Sequence, residues 1–390
     1  MADDFVEVKN PHLLDTDRLL AQRIPVGGPG HYKPCIAQLP NRELLVVAFR
    51  TIDEGDGKYR EDNVLFRSRD GGRTWSEGII LKQLGREPYL TVLRSGAVLM
   101  TALLGHDRRN GFGYFPSYVH RSEDGGRTWM SLQLGEELLP PPAERETYKG
   151  NQVCTTRNVL EQTDGSLFLG VSVYGMRRDF MWRSTDGGKT WSEKYPSRIE
   201  DLPQDYPYGA FQEAWLWQTR SGTLAMIARR DHRLCPIPGR TFDVQKEFLD
   251  EYDCMVLYVS TDIGRTWTPA RPLGDYGEHY PSILRLRNGR LLLTFTVRTL
   301  KPPLGLQAVL GTEEEAGLYF DFDHDRILLD TKTPVDLPSG GGFGPTVQLP
   351  DGTLVSSYSY RHAHRPETDL SSDVRTEVVR WRLPPGANPL

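Results

Sequence analysis

Ser184-Thr-Asp-Gly-Gly-Lys-Thr-Trp191 returns three more times in this chain, as Ser68-Arg-Asp-Gly-Gly-Arg-Thr-Trp75, Ser122-Glu-Asp-Gly-Gly-Arg-Thr-Trp129 and Ser260-Thr-Asp-Ile-Gly-Arg-Thr-Trp267. Each copy reads as a tight hairpin turn. The Asp carboxylate can accept hydrogen bonds from turn amides, and Gly supplies a positive φ. Trp then packs its indole between neighbouring sheets. Four copies at this spacing mean a solenoid, a propeller or an array.

A second repeat lies upstream of each turn. Pro34-Cys-Ile-Ala-Gln-Leu-Pro-Asn-Arg-Glu-Leu-Leu-Val-Val-Ala-Phe49 is the first such pair of short apolar strands, and five more break at Ser95-Gly96, Asp164-Gly165, Ser221-Gly222, Asn288-Gly289 and Asp351-Gly352 and then resume. Such turn dipeptides between β-rich runs are hairpin signals. Six hairpins mean six sheets, so the expected fold is all-β, a six-bladed β-propeller. In the fifth unit the turn motif has decayed, and Leu318-Tyr-Phe-Asp-Phe-Asp323 is expected to take the third strand. The sixth unit ends with Glu377-Val-Val-Arg-Trp-Arg382 and lacks an outer strand. Phe5-Val-Glu-Val8, or the run near Arg23-Ile-Pro-Val26, would supply it and close the ring, leaving no free edge. Residues 1–390 are read as one domain. Leu139-Pro-Pro-Pro-Ala143 and Thr299 to Glu315 are read as long connections.

The chain has 390 residues, 38% hydrophobic and 25% charged, with a formal net charge of −5. That composition suits a globular protein with a sizeable core. The negative balance, with no long basic run, argues against a nucleic-acid partner. No stretch approaches transmembrane length, so no membrane partner is expected. The start Met1-Ala-Asp-Asp-Phe-Val-Glu7 is acidic and has no apolar signal region. The expected location is therefore cytoplasmic, or secreted if a leader was removed. Cys35, Cys154, Cys235 and Cys254 have no metal-ligand spacing and are read mostly as buried thiols. No Gly-rich phosphate loop opens a helix. Neither a cofactor nor a metal is expected, and the oligomeric state is not legible.

In a propeller the start of each first strand and the end of each second strand share one face, opposite the turn motifs. Aligned on their turns, the six first strands place Lys33, Glu87, Thr156, Glu213, Tyr280 and Phe343 at equivalent positions. The second-strand ends bring Arg50, His106, Tyr174, Arg229 with Arg230, Arg298, and Tyr360 with Arg361. Carboxylates, cations and aromatics converging on one funnel make a small-molecule site. Tyr174, Phe343 and Tyr360 also suit plain packing, and His106 and His279 suit solvent-exposed loops.

The repeated Ser-x-Asp-x-Gly-x-Thr-Trp turn is the Asp-box, and with six hairpins the whole chain resembles the sialidase superfamily. The segment His31-Tyr-Lys-Pro34 to Phe49-Arg50 resembles the Arg-Ile-Pro segment and following strand of sialidases. The resemblance implies a carboxylate clamp at Lys33, at Arg229 or Arg230, and at Arg298. It implies an acid/base at Asp56, with Asp53 and Asp62 as rivals, and a polarising Glu at Glu213. The family's nucleophilic Tyr falls on Phe343, which has no hydroxyl, so Tyr280 or Tyr360 must take over or a different pair of groups must serve. Lys33 also exchanges a planar fork for a point charge.

The implied activity is exo-acting hydrolysis of a terminal, acidic, sialic-acid-like sugar, with carbohydrate as the partner. Glu213, Asp56 and Tyr280 would be catalytic. Lys33, Arg50, Glu87, His106, Arg229, Arg230, His279, Arg298 and Tyr360 would bind substrate. The six-bladed exo-arabinanases related to sialidases suggest a second use, to which Glu87 and Glu213 are suited. A lyase would use Tyr280 or His279 as base and arginines to neutralise a uronate. An Asp-box propeller can also bind without catalysis, because fold does not specify reaction.

Overall fold

The computed structural model describes residues 4–135, 152–174, 178–199, 202, 209–231, 236–237, 252–298, 303–315, 317–330, 332–333, 341–361 and 374–384. Cys235 and the proline-rich segment 139–143 lie outside them. Among the described residues all regular structure is β, with no α-helix.

The first four hairpins each nucleate a separate antiparallel sheet. The first contains Tyr32–Gln38, Leu44–Asp53, Tyr59–Ser68 and Ile79–Ile80, hydrogen-bonded in chain order. The second runs through Arg86–Val92, Val98–Leu103, Ser117–Ser122 and Met130–Leu134. The third is built on Leu167–Val173, whose inner partner is split into Val153–Thr155 and Leu160–Glu161. The fourth holds Trp215–Gln218, Leu224–Asp231, Asp253–Ser260 and Arg271–Leu273. First strands lie against one another from Leu160–Glu161 through Trp215–Gln218, Glu278–Arg285 and Thr346–Gln348 to Tyr32–Gln38, which also packs on Arg86–Val92 and Leu354–Arg361. Middle strands are buried on both faces, so Leu44–Phe49 reads as an unbroken apolar run, and Leu167–Val173 and Leu291–Val297 are apolar but for buried Ser172, Thr294 and Thr296.

The last two hairpins join into one ten-stranded sheet through the N-terminus. Arg18–Pro25 pairs with Val374–Trp381, while Asp4–Lys9 pairs with both Arg18–Pro25 and Arg326–Leu328. Both N-terminal runs offered as the closing strand are thus used, one on each repeat. The fifth repeat needs a correction. Its third strand is Gly305–Glu314, paired along Leu291–Val297, inside the stretch read as a connection. Leu318 lies in Gly317–Phe320, which folds back on the end of that strand. Gly305–Glu314 is buried on both faces through Gly311 and so carries no alternating pattern.

The turn motif forms as its chemistry dictates. Asp70 Oδ1 accepts from the amides of Arg73 and Thr74 at 3.0 and 2.9 Å, Oδ2 accepts from Thr74 Oγ1 at 2.6 Å, and Ser68 Oγ accepts from the Gly72 amide at 2.8 Å. Asp124, Asp186 and Asp262 repeat the pattern. Gly71 and Gly72 carry φ of 71° and 85°, which a side chain would strain. Trp267 is buried in the core, and Trp75, Trp129 and Trp191 pack on the edges of theirs. Cys35 and Cys154 are buried free thiols, whereas Cys254 is disulfide-bonded, contrary to its reading as a thiol.

Candidate active site

Five of the six aligned first-strand positions share a backbone feature that ordinary strand residues avoid. Lys33, Glu87, Glu213, Tyr280 and Phe343 have φ of 47°, 52°, 49°, 58° and 61°. In the first, second and fifth repeats the ladder slips here, between Tyr32 and Cys35, Arg86 and Tyr89, and His279 and Ser282. A non-glycine residue in this region stores strain of about 1–3 kcal/mol, and such strain clusters at functional sites. A bulge at a strand end re-aims a side chain. In the third repeat the equivalent Thr156 lies in the break between two short strands, and the neighbouring Arg157 reaches the site instead.

These strand ends assemble a chain of alternating charge. Lys33 Nζ lies 2.6 Å from Glu87 Oε1. Arg157 Nη2 donates to Glu87 Oε2 at 3.1 Å and to Glu213 Oε1 at 3.2 Å. Arg229 Nη1 donates to Glu213 Oε2 at 2.9 Å and contacts Tyr280 Oη at 3.1 Å, while its Nε pairs with Asp253. Arg86 approaches Glu87 at 3.6 Å and Glu61 at 3.4 Å. The Tyr280 ring is ringed by cations: Lys33 and Arg157 at 4.9 Å, Arg298 at 5.0 Å and Arg229 at 5.6 Å from its centroid. Phe343 packs edge-on against Tyr280 at 4.5 Å and lies under Arg298 and Lys33 at 4.4 and 4.7 Å. Arg298 also donates to Tyr32 Oη at 3.0 Å.

Burial sets the protonation states. Lys33 is 8% exposed, and loss of water pushes its ammonium down to about 8 despite the carboxylates of Glu87 and Glu213. For Glu87 burial acts upward, but Lys33, Arg157 and Arg86 outweigh it and hold the carboxyl below its ordinary value. Arg157 is desolvated too, and Glu87 and Glu213 keep it firmly charged. A cavity of about 120 Å³ opens beside this chain, lined by Glu87, Arg157, Glu213, Thr101, Ser117 and Cys154 among others. It exceeds several-fold the room one water needs.

Of the residues expected from sequence, Lys33, Glu87, Glu213, Arg229, Tyr280 and Arg298 meet in this cluster. His279 is buried with its ring 4.7 Å from that of Tyr280. Arg230 is placed differently. Adjacent strand residues point to opposite faces, so its guanidinium turns inward and donates to Ala210 O, Arg229 O and Tyr258 Oη at 2.7, 2.6 and 3.1 Å. Tyr360 donates to Glu377 at 3.3 Å and lies under Lys332 at 5.0 Å, in a separate group. Arg50 faces Asp62 at 3.9 Å, and His106 is exposed against Phe115. Asp56 is exposed at the tip of the hairpin joining Leu44–Asp53 to Tyr59–Ser68 and makes no hydrogen bond or ion pair with the cluster. Arg157 was missed: counting back from the second strand lands on Thr156, and the break at Thr156–Asn158 moves the working side chain by one.

A family model described as a BNR repeat-like domain matches residues 26–293. The chain belongs to the BNR repeat-like family. The sialidase-like superfamily assignment drawn from the four Asp-boxes therefore stands. This BNR-repeat protein is similar to a Dyadobacter fermentans protein of unknown function, at 19% identity and a TM-score of 0.64, over 93% of this chain and 99% of that one. It is also similar to a Hadza microbial sialidase, at 16% identity and a TM-score of 0.50, over 89% of this chain and 65% of the sialidase. A Trypanosoma rangeli sialidase in complex with sialic acid aligns at 13% identity and a TM-score of 0.48, over 99% of this chain and 59% of that one. At these identities the first two likenesses speak for the fold alone. No curated protein matches significantly.

Proposed function

We propose that this BNR-repeat protein is an exo-acting glycoside hydrolase, a single domain built as a six-bladed propeller closed by its N-terminal hairpin, with Tyr280 as nucleophile. The observation that carries the proposal is the shared contact at Arg229 Nη1, which holds Glu213 and Tyr280 Oη on one nitrogen at 2.9 and 3.1 Å. Tyr280 thereby supplies the hydroxyl that Phe343 lacks.

The Tyr280 oxygen attacks the anomeric carbon while its proton passes to Glu213. The glycosidic oxygen departs with a proton from Asp56. Water then attacks the glycosyl–tyrosine, giving its proton to Asp56, and Tyr280 leaves as it recovers the proton held by Glu213. The surrounding cations stabilise charge on the phenolic oxygen at both steps, in a site where burial strengthens each interaction. Tyr32 pairs with Phe49, so Asp56 lies on the part of the hairpin that extends beyond the Lys33 end of the first strand. That placement supports it as the acid. The terminal sugar is acidic, and Arg298, Arg229 and Lys33 bind its anionic group.

A second reading has its own observation. Glu87 and Glu213 both hydrogen-bond Arg157 Nη2, so these two oxygens are no farther apart than 3.1 and 3.2 Å laid end to end. Retaining glycosidases hold their two carboxyl groups about 5–5.5 Å apart. A carboxylate pair acting on a neutral sugar fits that spacing. The test is a panel of aryl sialosides, uronides and arabinosides against wild type, Tyr280→Phe and Glu213→Gln. Tyrosine catalysis requires turnover that both variants lose. Turnover that survives Tyr280→Phe favours the carboxylate pair, and no turnover on any substrate leaves a binding propeller.

A further inference from the structure

The N-terminal strand Asp4–Lys9 leads into a loop that is fastened to the loop before Arg326–Leu328. Asp325 Oδ1 accepts from the amides of His12 and Leu14 at 2.7 and 3.1 Å, and Oδ2 accepts from that of Leu13 at 2.8 Å. The Asp325 amide returns a bond to Asn10 O at 3.0 Å, and Asn10 Nδ2 donates to Asp323 O at 2.9 Å. Bonds in both directions fix one loop against the other.

The product of that fastening is a group of three ligand-type side chains. His12 comes from the first loop, Asp321 and His324 from the second, and one ligand atom of each lies within 4.8 Å of the others. The two imidazole rings are 5.0 Å apart, and His324 Nδ1 is 3.1 Å from Asp321 Oδ2. Two ligands at zinc-like bond lengths in a tetrahedron sit about 3.3 Å apart. Asp321 Oδ1 accepts from the amides of Asp323 and His324 at 3.0 and 3.1 Å, and His324 Nδ1 lies 3.3 Å from Oδ1 and 3.1 Å from Oδ2. Such outer hydrogen bonds position a metal-binding carboxylate.

We propose that His12, Asp321 and His324 bind one divalent transition-metal ion of the zinc class, at a site that shares no residue with the Tyr280 cluster. Two imidazoles and one carboxylate are a borderline-soft donor set that suits zinc, nickel or copper over calcium or magnesium. Three protein ligands on exposed loops leave the fourth position to water. The ion ties the start of the chain to the fifth repeat, where Asp4–Lys9 makes its ladder with Arg326–Leu328. His12 lies more than 300 residues from Asp321 and His324, so no spacing motif announces the three together.

The test titrates Zn²⁺ into metal-stripped protein by calorimetry and repeats it with Co²⁺ read by visible absorption. Wild type, His12→Ala, His324→Ala and Asp321→Asn are compared, with Tm recorded with and without metal. The expected result is one ion per chain, a tetrahedral Co²⁺ spectrum and a higher Tm with Zn²⁺. Each substitution removes a ligand, so it should weaken binding by at least the roughly 10–100-fold that loss of an outer partner costs and abolish the metal-dependent rise in Tm, while circular dichroism stays that of wild type. Absence of stoichiometric binding in wild type overturns the site and leaves an ordinary His324–Asp321 ion pair. Binding kept by the His12 and His324 variants overturns it equally.

Discussion

Glu213 and Tyr280 come from adjacent repeats and meet on one guanidinium nitrogen, Arg229 Nη1, at 2.9 and 3.1 Å. Each stands on a left-handed residue, at φ of 49° and 58°. The backbone distortion and the contact go together: Tyr280 sits at a ladder slip and Glu213 in the turn just before Trp215–Gln218, and both side chains reach the same guanidinium. Arg229 joins the two and is itself held by Asp253 through Nε.

Arg229 and Arg230 should therefore part company under mutation. Arg229→Met is expected to keep a cooperative fold while turnover of any accepted glycoside falls by about 10²-fold or more, as when one aimed electrostatic donor is lost. Arg230→Met removes a charged donor from three buried acceptors and should cost about 3 kcal/mol or more. Urea midpoints and kcat/KM on both variants check the split. Equal stability losses would contradict the assigned orientations.

Lys33 gives the site a pH dependence of definite sign. Burial lowers its ammonium to about 8 from the ordinary 10.5, with Glu87 and Glu213 only partly offsetting the loss of water. Below pH 8 the charged Lys33 holds Glu87, and above it the amine neutralises and the anion-binding side of the cluster weakens. A descending limb in kcat/KM with an apparent pKa near 8 is expected. Lys33→Arg, which does not titrate there, should push that limb to higher pH. For stability the sign is opposite. Between pH 8 and 10.5 the unfolded chain holds a proton that the folded chain has released, so this group's contribution to stability rises across that window.

The Asp-box turns should govern acid unfolding. Burial alone would raise Asp70 and Asp186, yet bonds from Thr and Ser hydroxyls and turn amides bring both down to about 2. A depressed carboxylate stabilises the fold above its unfolded value near 4 and loses that stabilisation as pH falls through about 2. Asp70→Asn keeps an acceptor for the turn amides but loses the charge and the Oδ2 acceptor of Thr74 Oγ1, and should cost about 1 kcal/mol at pH 7. Its urea midpoint should converge on that of wild type near pH 2. A constant gap across that range would show that Asp70 acts by shape and not by charge.

The hairpins and Asp-boxes were legible because turns need specific residues at fixed offsets, and a repeat multiplies the signal. The same alignment found Lys33, Glu87, Glu213, Tyr280 and Phe343, five positions that turn out to share a positive φ. Arg157 was not legible, since a break in a strand changes the count by one and leaves no local mark. Ala228-Arg-Arg-Asp231 carries charge at both parities, so only burial could tell Arg229 from Arg230. Gly305–Glu314 lacked alternation because both of its faces are covered. The His12–Asp321–His324 group depends wholly on tertiary contact.

Trapping the covalent intermediate tests the central claim most directly. Wild-type protein would be incubated with fluorinated activated sugars of the class it cleaves, digested, and its peptides mapped by mass spectrometry. A glycosyl adduct on Tyr280, absent from Tyr280→Phe and slow to form in Glu213→Gln, is the predicted result. An adduct on Glu87 or Glu213, or hydrolysis with inversion and no adduct at all, would contradict it.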